Sequence, residues 1–129
     1  MFTLEIISPE RVFYKDDIDF VEMTTSEGEI GVYEKHIPMT NVLMPGVVKI
    51  HKAGEIKSAA VMSGFVVILQ DSVKIMAEVA EWPEEIDINR ANEAKIRAER
   101  RLKEGGEGVD KDRAEAALKR SIVRINLLK

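Results

Sequence analysis

Asp87, Arg90, Arg120 and Arg124 are the residues whose types and spacing suit a chemical task. Arg120 and Arg124 are four apart, so a helix carries them on one face. Like charges at that spacing cost an isolated helix about 0.2–0.5 kcal/mol. An acidic neighbour would offset the cost. So would a phosphate, which arginine engages through paired, charge-assisted hydrogen bonds. The pair also fits a solvated basic face near a helix C-terminus, where the helix dipole favours cations. The sequence offers little chemistry beyond binding. It contains no phosphate-loop, dinucleotide, zinc-protease or serine-hydrolase motif. It has no Cys, which excludes disulfides, zinc–thiolate sites and thiol catalysis. His36 and His51 are the only histidines and fall on different elements, so they do not form a metal pair. No two carboxylates form a convincing acid/base pair. The expectation is a non-enzyme with no catalytic residues, no metal and no required cofactor.

These residues have to be positioned by two kinds of structure that meet near Ile86. Upstream, strand patterns alternate with turn signals. Phe2, Leu4 and Ile6 alternate with polar residues until Ser8-Pro9. Val12–Tyr14 is expected to end at Lys15-Asp16-Asp17, and a third strand runs from Ile18 to Thr25. Ile30–Tyr33, Thr40–Met44 and the stretch around Val47 and Ile50 follow. Ala53-Gly54 then turns the chain into Ile56–Met62. Ser63-Gly64 is expected to turn it again before Phe65–Gln70, and Val73–Ala80 closes the run. About ten short strands without an intervening helix predict an antiparallel β-sandwich over 1–85. Its expected core is Leu4, Ile6, Phe20, Val32, Val42, Val48, Ile50, Val61, Val67, Leu69 and Ile75.

Downstream, 86–129 reads as an antiparallel two-helix hairpin. Asp87 is a good N-cap. Ala91, Ala94, Ala98 and Leu102 form a thin apolar stripe, and Gly105-Gly106 stops the first helix. After Asp110, a second stripe comprises Ala114, Ala117, Leu118, Ser121, Ile122, Ile125 and Leu128. Alanines bury little area, so low local stability is expected. Residues 1–85 carry 7 basic and 15 acidic side chains, a net of −8, whereas 86–129 carry 12 and 8, a net of +4. The two parts should prefer different partners, or each other. No apolar run reaches the roughly 18 residues of a membrane span, and the N-terminus has no signal-peptide pattern.

A further stretch stands out: Gly28-Glu29-Ile30-Gly31-Val32-Tyr33, then His36, Pro38 and Pro45-Gly46. By itself it is turn chemistry. Together with Ser63-Gly64-Phe65 and Ile86-Asp87-x-x-Arg90-Ala91, in this order, it resembles the epsilon subunit of bacterial ATP synthases along the whole chain. The last motif resembles the I/L-D-x-x-R-A segment of that family's nucleotide-binding members.

The resemblance implies a rotor subunit of a proton- or sodium-translocating F-type synthase, part of the central stalk. Its sandwich would dock on the gamma subunit and the c-ring. Its mobile hairpin would fold down or extend along gamma toward the alpha and beta subunits, where the extended form inhibits ATP hydrolysis. Residue by residue, it implies a regulatory ATP site of Glu81, Ile86, Asp87, Arg90, Ala91, Arg120 and Arg124. It places Glu29 and His36 at the partner contacts. Trp82 would lie near the base or cover the sheet edge. The implied location is peripheral, on the cytoplasmic face of the cell membrane, with membrane association through the complex alone and no nucleic acid. The competing class is an adaptor, a β-sandwich whose basic hairpin binds an acidic protein partner.

Overall fold

The structure, a computed structural model, describes residues 1–106 and 108–129. It divides into two compact units, Met1–Trp82 and Pro83–Lys129.

The first unit holds eight strands: β1 (Phe2–Ile7), β2 (Val12–Ile18), β3 (Phe20–Thr25), β4 (Gly28–Val32), β5 (Met39–Val42), β6 (Gly46–Lys52), β7 (Glu55–Ile68) and β8 (Ser72–Glu81). They are hydrogen-bonded in the order β2-β1-β8-β7-β6-β3-β4, with β5 also on β7. All pairs are antiparallel except β1 with β8, which run parallel with Leu4 beside Val73 and Ile6 beside Ile75. Those four side chains are essentially inaccessible to solvent and begin a core completed by Ile18, Val21, Val32, Ile50, Val66 and Ile68. The sandwich reading therefore holds with one parallel pair in it.

The strands number eight, compared with about ten expected, and two expected breaks are continuous. Lys15-Asp16-Asp17 does not end β2. All three side chains are exposed, while Ile18 returns to the core. Asp16 is held by Lys52, and Asp17 accepts from Thr3 Oγ1 at 2.8 Å. The break falls instead between Ile18 and Phe20, where the Asp19 amide donates to the His51 carbonyl and Asp19 Oδ2 accepts from the Ala53 amide. Ser63-Gly64 is not a turn either. Its residues have φ of 56° and 112°, yet the strand runs through them. The first half of β7 pairs with β6, and the second half with β5. The distortion redirects one long strand between two partners. Ala53-Gly54 does turn, both at positive φ, as a two-residue hairpin requires.

Four expected core residues lie elsewhere. Val42 and Leu69 are exposed, and Phe20 and Val67 are only partly covered. In the second half of β7 the buried residues are Val66 and Ile68, so Phe65 and Val67, and Leu69 just beyond the strand, take the outer face. Phe20 stacks on Tyr33 at 4.2 Å, over Gly31, where any Cβ would meet the ring at 2.6 Å.

The second unit opens with a short 3₁₀ turn, Pro83–Glu85, followed by α1 (Ile88–Glu104) and α2 (Lys111–Leu127). Its buried residues form one stripe per helix: Ala91 and Ala98 on α1, and Ala114, Ser121 and Ile125 on α2. The seam is made mostly of small side chains. Ser121 satisfies its hydroxyl on the Ala117 carbonyl at 2.9 Å. Ile122, expected in the stripe, is more exposed than buried positions allow and lies at its margin.

Candidate functional site

Each proposed binding residue is positioned by an element whose local chemistry is visible. Asp87 caps α1 from an extended conformation, and its Oδ1 accepts from the Asn89 and Arg90 amides at 2.9 and 3.2 Å. That cap fixes the start of the helix and therefore the azimuth of every residue after it. Ala91, one residue beyond Arg90, is 4% exposed in the seam. Its small side chain lets the helices approach. Arg90 flanks the α1 stripe, and Arg120 and Arg124 flank the α2 stripe. At 3.6 residues per turn in an antiparallel pair, all three fall on the same side of the seam. Arg90 is exposed, and Arg120 and Arg124 are partly covered.

The opposite side is different. Ile86, Ile88, Asn92, Ile125, Leu128 and Lys129 line an open apolar groove of about 580 Å³. Ile86 thus belongs to this groove rather than to the arginine side. Lys119 is exposed and points away from both. Glu81 is the last residue of β8, opposite Ala60, and so belongs to the sandwich unit rather than the hairpin.

Trp82 is settled by its contacts within the sandwich. Its ring stacks on Phe13 at 4.3 Å, meets Tyr14 edge-on at 6.1 Å, and lies 4.9 Å beneath Lys57 Nζ. It covers the end of the core. Burial, and then the Asp16 carboxylate, raise the Tyr14 phenol above its ordinary pKa.

Glu29 and His36 do not converge. Glu29 is exposed near the start of β4 and lines a cavity of about 240 Å³ with Phe20, Glu22, Thr24 and Lys49. His36 lies in the loop beyond the other end of β4, and its Nδ1–H donates to the Ile37 carbonyl at 2.8 Å. Sequence reasoning missed an apolar face nearby. Val42 and Phe65 are cross-strand neighbours, both exposed, and Val67 and Leu69 continue the row. Ile37, in the loop, is 79% exposed. A signal was present in the unbroken apolar run Phe65–Leu69, which cannot bury both of its faces in one core.

Among the described residues no group of His, Asp and Glu could hold a metal ion, and no helix is long and apolar enough to cross a membrane.

Comparison with known proteins gives this architecture a family. Residues 1–83 match the beta-sandwich domain of the ATP synthase delta/epsilon chain, and residues 84–129 match that chain's long alpha-helix domain. The chain belongs to this family and is a structural, non-catalytic subunit. Among its relatives, the ATP synthase epsilon chain of Caldanaerobacter subterraneus is 42% identical over 98% of this chain and 92% of its own. That of Shouchella clausii is 45% identical over 98% and 93%. The fold also matches a chain in the structure of Euglena gracilis mitochondrial ATP synthase (OSCP, F1 and c-ring). The TM-score is 0.88 at 23% identity, over 99% of this chain and 81% of that one.

Proposed function

We propose that the chain, an epsilon subunit of the central stalk of an F-type ATP synthase, joins rotor docking and nucleotide sensing in its two units. The sandwich docks on the gamma subunit and the c-ring. The hairpin restrains ATP hydrolysis when it extends toward the alpha and beta subunits. ATP, bound to the folded hairpin, opposes that extension, because a ligand shifts an equilibrium through its differential affinity for the two forms. The coupling ion is a proton or sodium, and the complex holds the subunit at the cytoplasmic face of the cell membrane.

What supports the nucleotide reading is helix geometry: at 3.6 residues per turn Arg90, Arg120 and Arg124 fall on one side of a seam started by the Asp87 cap. Three guanidiniums there suit a phosphate chain. Asp87 sets the helix start. The docking reading is supported by the apolar row of Val42, Phe65 and Leu69, all exposed, with the half-buried Val67 between them, since an apolar patch of this kind marks an interaction face.

Calorimetry of the chain with ATP tests the proposal. Charge-assisted hydrogen bonds are worth about 1.5–3 kcal/mol each, so Arg124→Ala should weaken ATP roughly tenfold to a hundredfold. Lys119→Ala should leave affinity within about twofold, since it removes only one solvated charge. No binding to the unaltered chain at millimolar ATP would transfer the arginines to an acidic protein partner.

A further inference from the structure

The hairpin contains an internal repeat that the nucleotide reading does not use. Ile86-Asp87-Ile88-Asn89-Arg90-Ala91 recurs 23 residues later as Val109-Asp110-Lys111-Asp112-Arg113-Ala114. The same offset carries Arg97-Ala98 onto Arg120-Ser121, and Arg101 onto Arg124. Each helix thus bears three arginines spaced by seven and then four.

The structure reproduces the repeat in three dimensions. Asp87 and Asp110 both cap their helices, at φ,ψ of −91°,110° and −86°,102°. Asp110 Oδ1 accepts from the Arg113 amide at 3.1 Å, as Asp87 does from Arg90. Ala91 and Ala114 are each 4% exposed, and Ala98 and Ser121 are 3% and 1% exposed. An antiparallel pair with equivalent seams has approximate twofold symmetry about an axis crossing the seam. That axis exchanges Arg90, Arg120 and Arg124 with Arg113, Arg97 and Arg101. The second trio therefore stands on the same side of the hairpin, one heptad or about 10 Å toward the inter-helix loop.

Among the described residues, Arg97, Arg101 and Arg113 form no ion pair. Arg97 and Arg101 are four apart on one helix and repel. The capping carboxylate of Asp110 already takes an amide of the α2 N-terminus, so the guanidiniums, and not the helix end, are the groups available to a ligand.

We infer that Arg97, Arg101 and Arg113 form a second phosphate-binding subsite, related to the first by the twofold repeat of the hairpin, which takes a polyphosphate chain. The inference rests on the reading of Arg90, Arg120 and Arg124 as phosphate ligands. Two sources share this ligand chemistry: the triphosphate of a nucleotide, and inorganic tripolyphosphate. The second subsite offers guanidiniums alone, so it recognises the phosphates and nothing else of the ligand. Tripolyphosphate should fill both subsites, whereas ATP should prefer the first.

The test is calorimetric titration of the full chain at low salt, with tripolyphosphate and with ATP, on the unaltered protein and two triple variants. Helix content by circular dichroism confirms that each variant is folded. The unaltered chain should bind two tripolyphosphates. R97A/R101A/R113A should lose one of them, that site weakening by roughly a hundredfold or more, while ATP affinity stays within about twofold. R90A/R120A/R124A should lose ATP binding and keep one tripolyphosphate. A stoichiometry of one that R97A/R101A/R113A leaves unchanged overturns the second subsite and leaves the first standing. A single site abolished by R97A/R101A/R113A and untouched by R90A/R120A/R124A supports the second trio and overturns the first. Equal weakening of one site by both variants overturns the division into two and assigns all six arginines to one extended anion surface.

Discussion

Gly64→Ala is the sharpest test of how the sandwich is held together. A Cβ built at Gly64 would lie 1.9 Å from the Met76 carbonyl oxygen, 2.9 Å from its carbon and 3.0 Å from Ala77 Cα. All three are backbone atoms of the neighbouring strand, so no side chain can swing aside. An ordinary carbon–oxygen contact is about 3.3 Å, and β7 and β8 would have to part by more than 1 Å at this point. The adjacent rungs, Gly64 with Ala77 and Phe65 with Met76, would be strained or lost. Two backbone hydrogen bonds are worth about 1 kcal/mol each. A φ of +112° costs an alanine a further 1–3 kcal/mol or so. The sum, about 3–5 kcal/mol, is a large part of the roughly 5–15 kcal/mol that holds a domain together. For a unit of this size it corresponds to a fall in Tm of at least about 12 °C. Thermal melts followed by circular dichroism and by Trp82 emission measure it. Gly54→Ala is the control, because φ there is +79° and nothing lies within 4 Å of the added Cβ. It bears the conformational cost alone, about 1–2 kcal/mol. Equal losses of Tm in the two variants would refute the close-approach argument.

Three other outcomes are expected. A fragment ending at Trp82 should fold alone, because the Phe13–Trp82 stack closes the core within it, and it should still dock on the rotor while failing to inhibit hydrolysis. Dispersed amide NMR spectra and reconstitution measure this, and a collapsed or insoluble fragment would contradict it. Glu29→Ala with His36→Ala should weaken assembly with gamma and the c-ring and leave ATP binding by the isolated chain unchanged; normal assembly would return both residues to local turn chemistry. Lys52, donating to the Asp16 carboxylate, and then the Asp17 amide hold the Asp16 carboxyl below its ordinary value. Its folded pKa is thus depressed, so its stabilising effect is present above the ordinary carboxylate range and fades as pH falls through the folded value. Asp16→Asn should flatten the acid side of the stability–pH curve in urea melts, and an unchanged acid side would show the pair to be inert.

Helix starts were legible because capping is local. Asp87 and Asp110 are read within four residues, and both cap in the structure. The arginine pair was legible for the same reason, since a spacing of four decides a helix face. The face of β7 was not legible. Every residue from Phe65 to Leu69 is apolar, so alternation carries no information, and a shift by one exchanges Val67 and Leu69 for Val66 and Ile68. Ser63-Gly64 misled for a different reason. The dipeptide has turn composition, but the glycine is needed for backbone proximity to β8, which depends on a strand remote in sequence. Trp82 was open in the sequence because its partner, Phe13, is nearly the whole sandwich away along the chain.

The parallel pairing of β1 with β8 has a consequence for synthesis. Thr3 finds its β8 partner only when Ser72 has left the ribosome, and β8 ends at Glu81. Until then β1 has only β2 beside it, and the face of Leu4 and Ile6 has no lid. Contacts of such long range are slow to form, because the closure entropy of the intervening chain comes first. The hairpin has no comparable delay: its contacts join neighbouring helices across one loop, and helical contacts form in microseconds. Translation therefore sets an order in which the hairpin, emerging after the sandwich, is the quicker to fold. The exposed interval in the life of this chain belongs to the half-made sandwich, and a chaperone holding the nascent protein would be expected to cover the Leu4–Ile6 face.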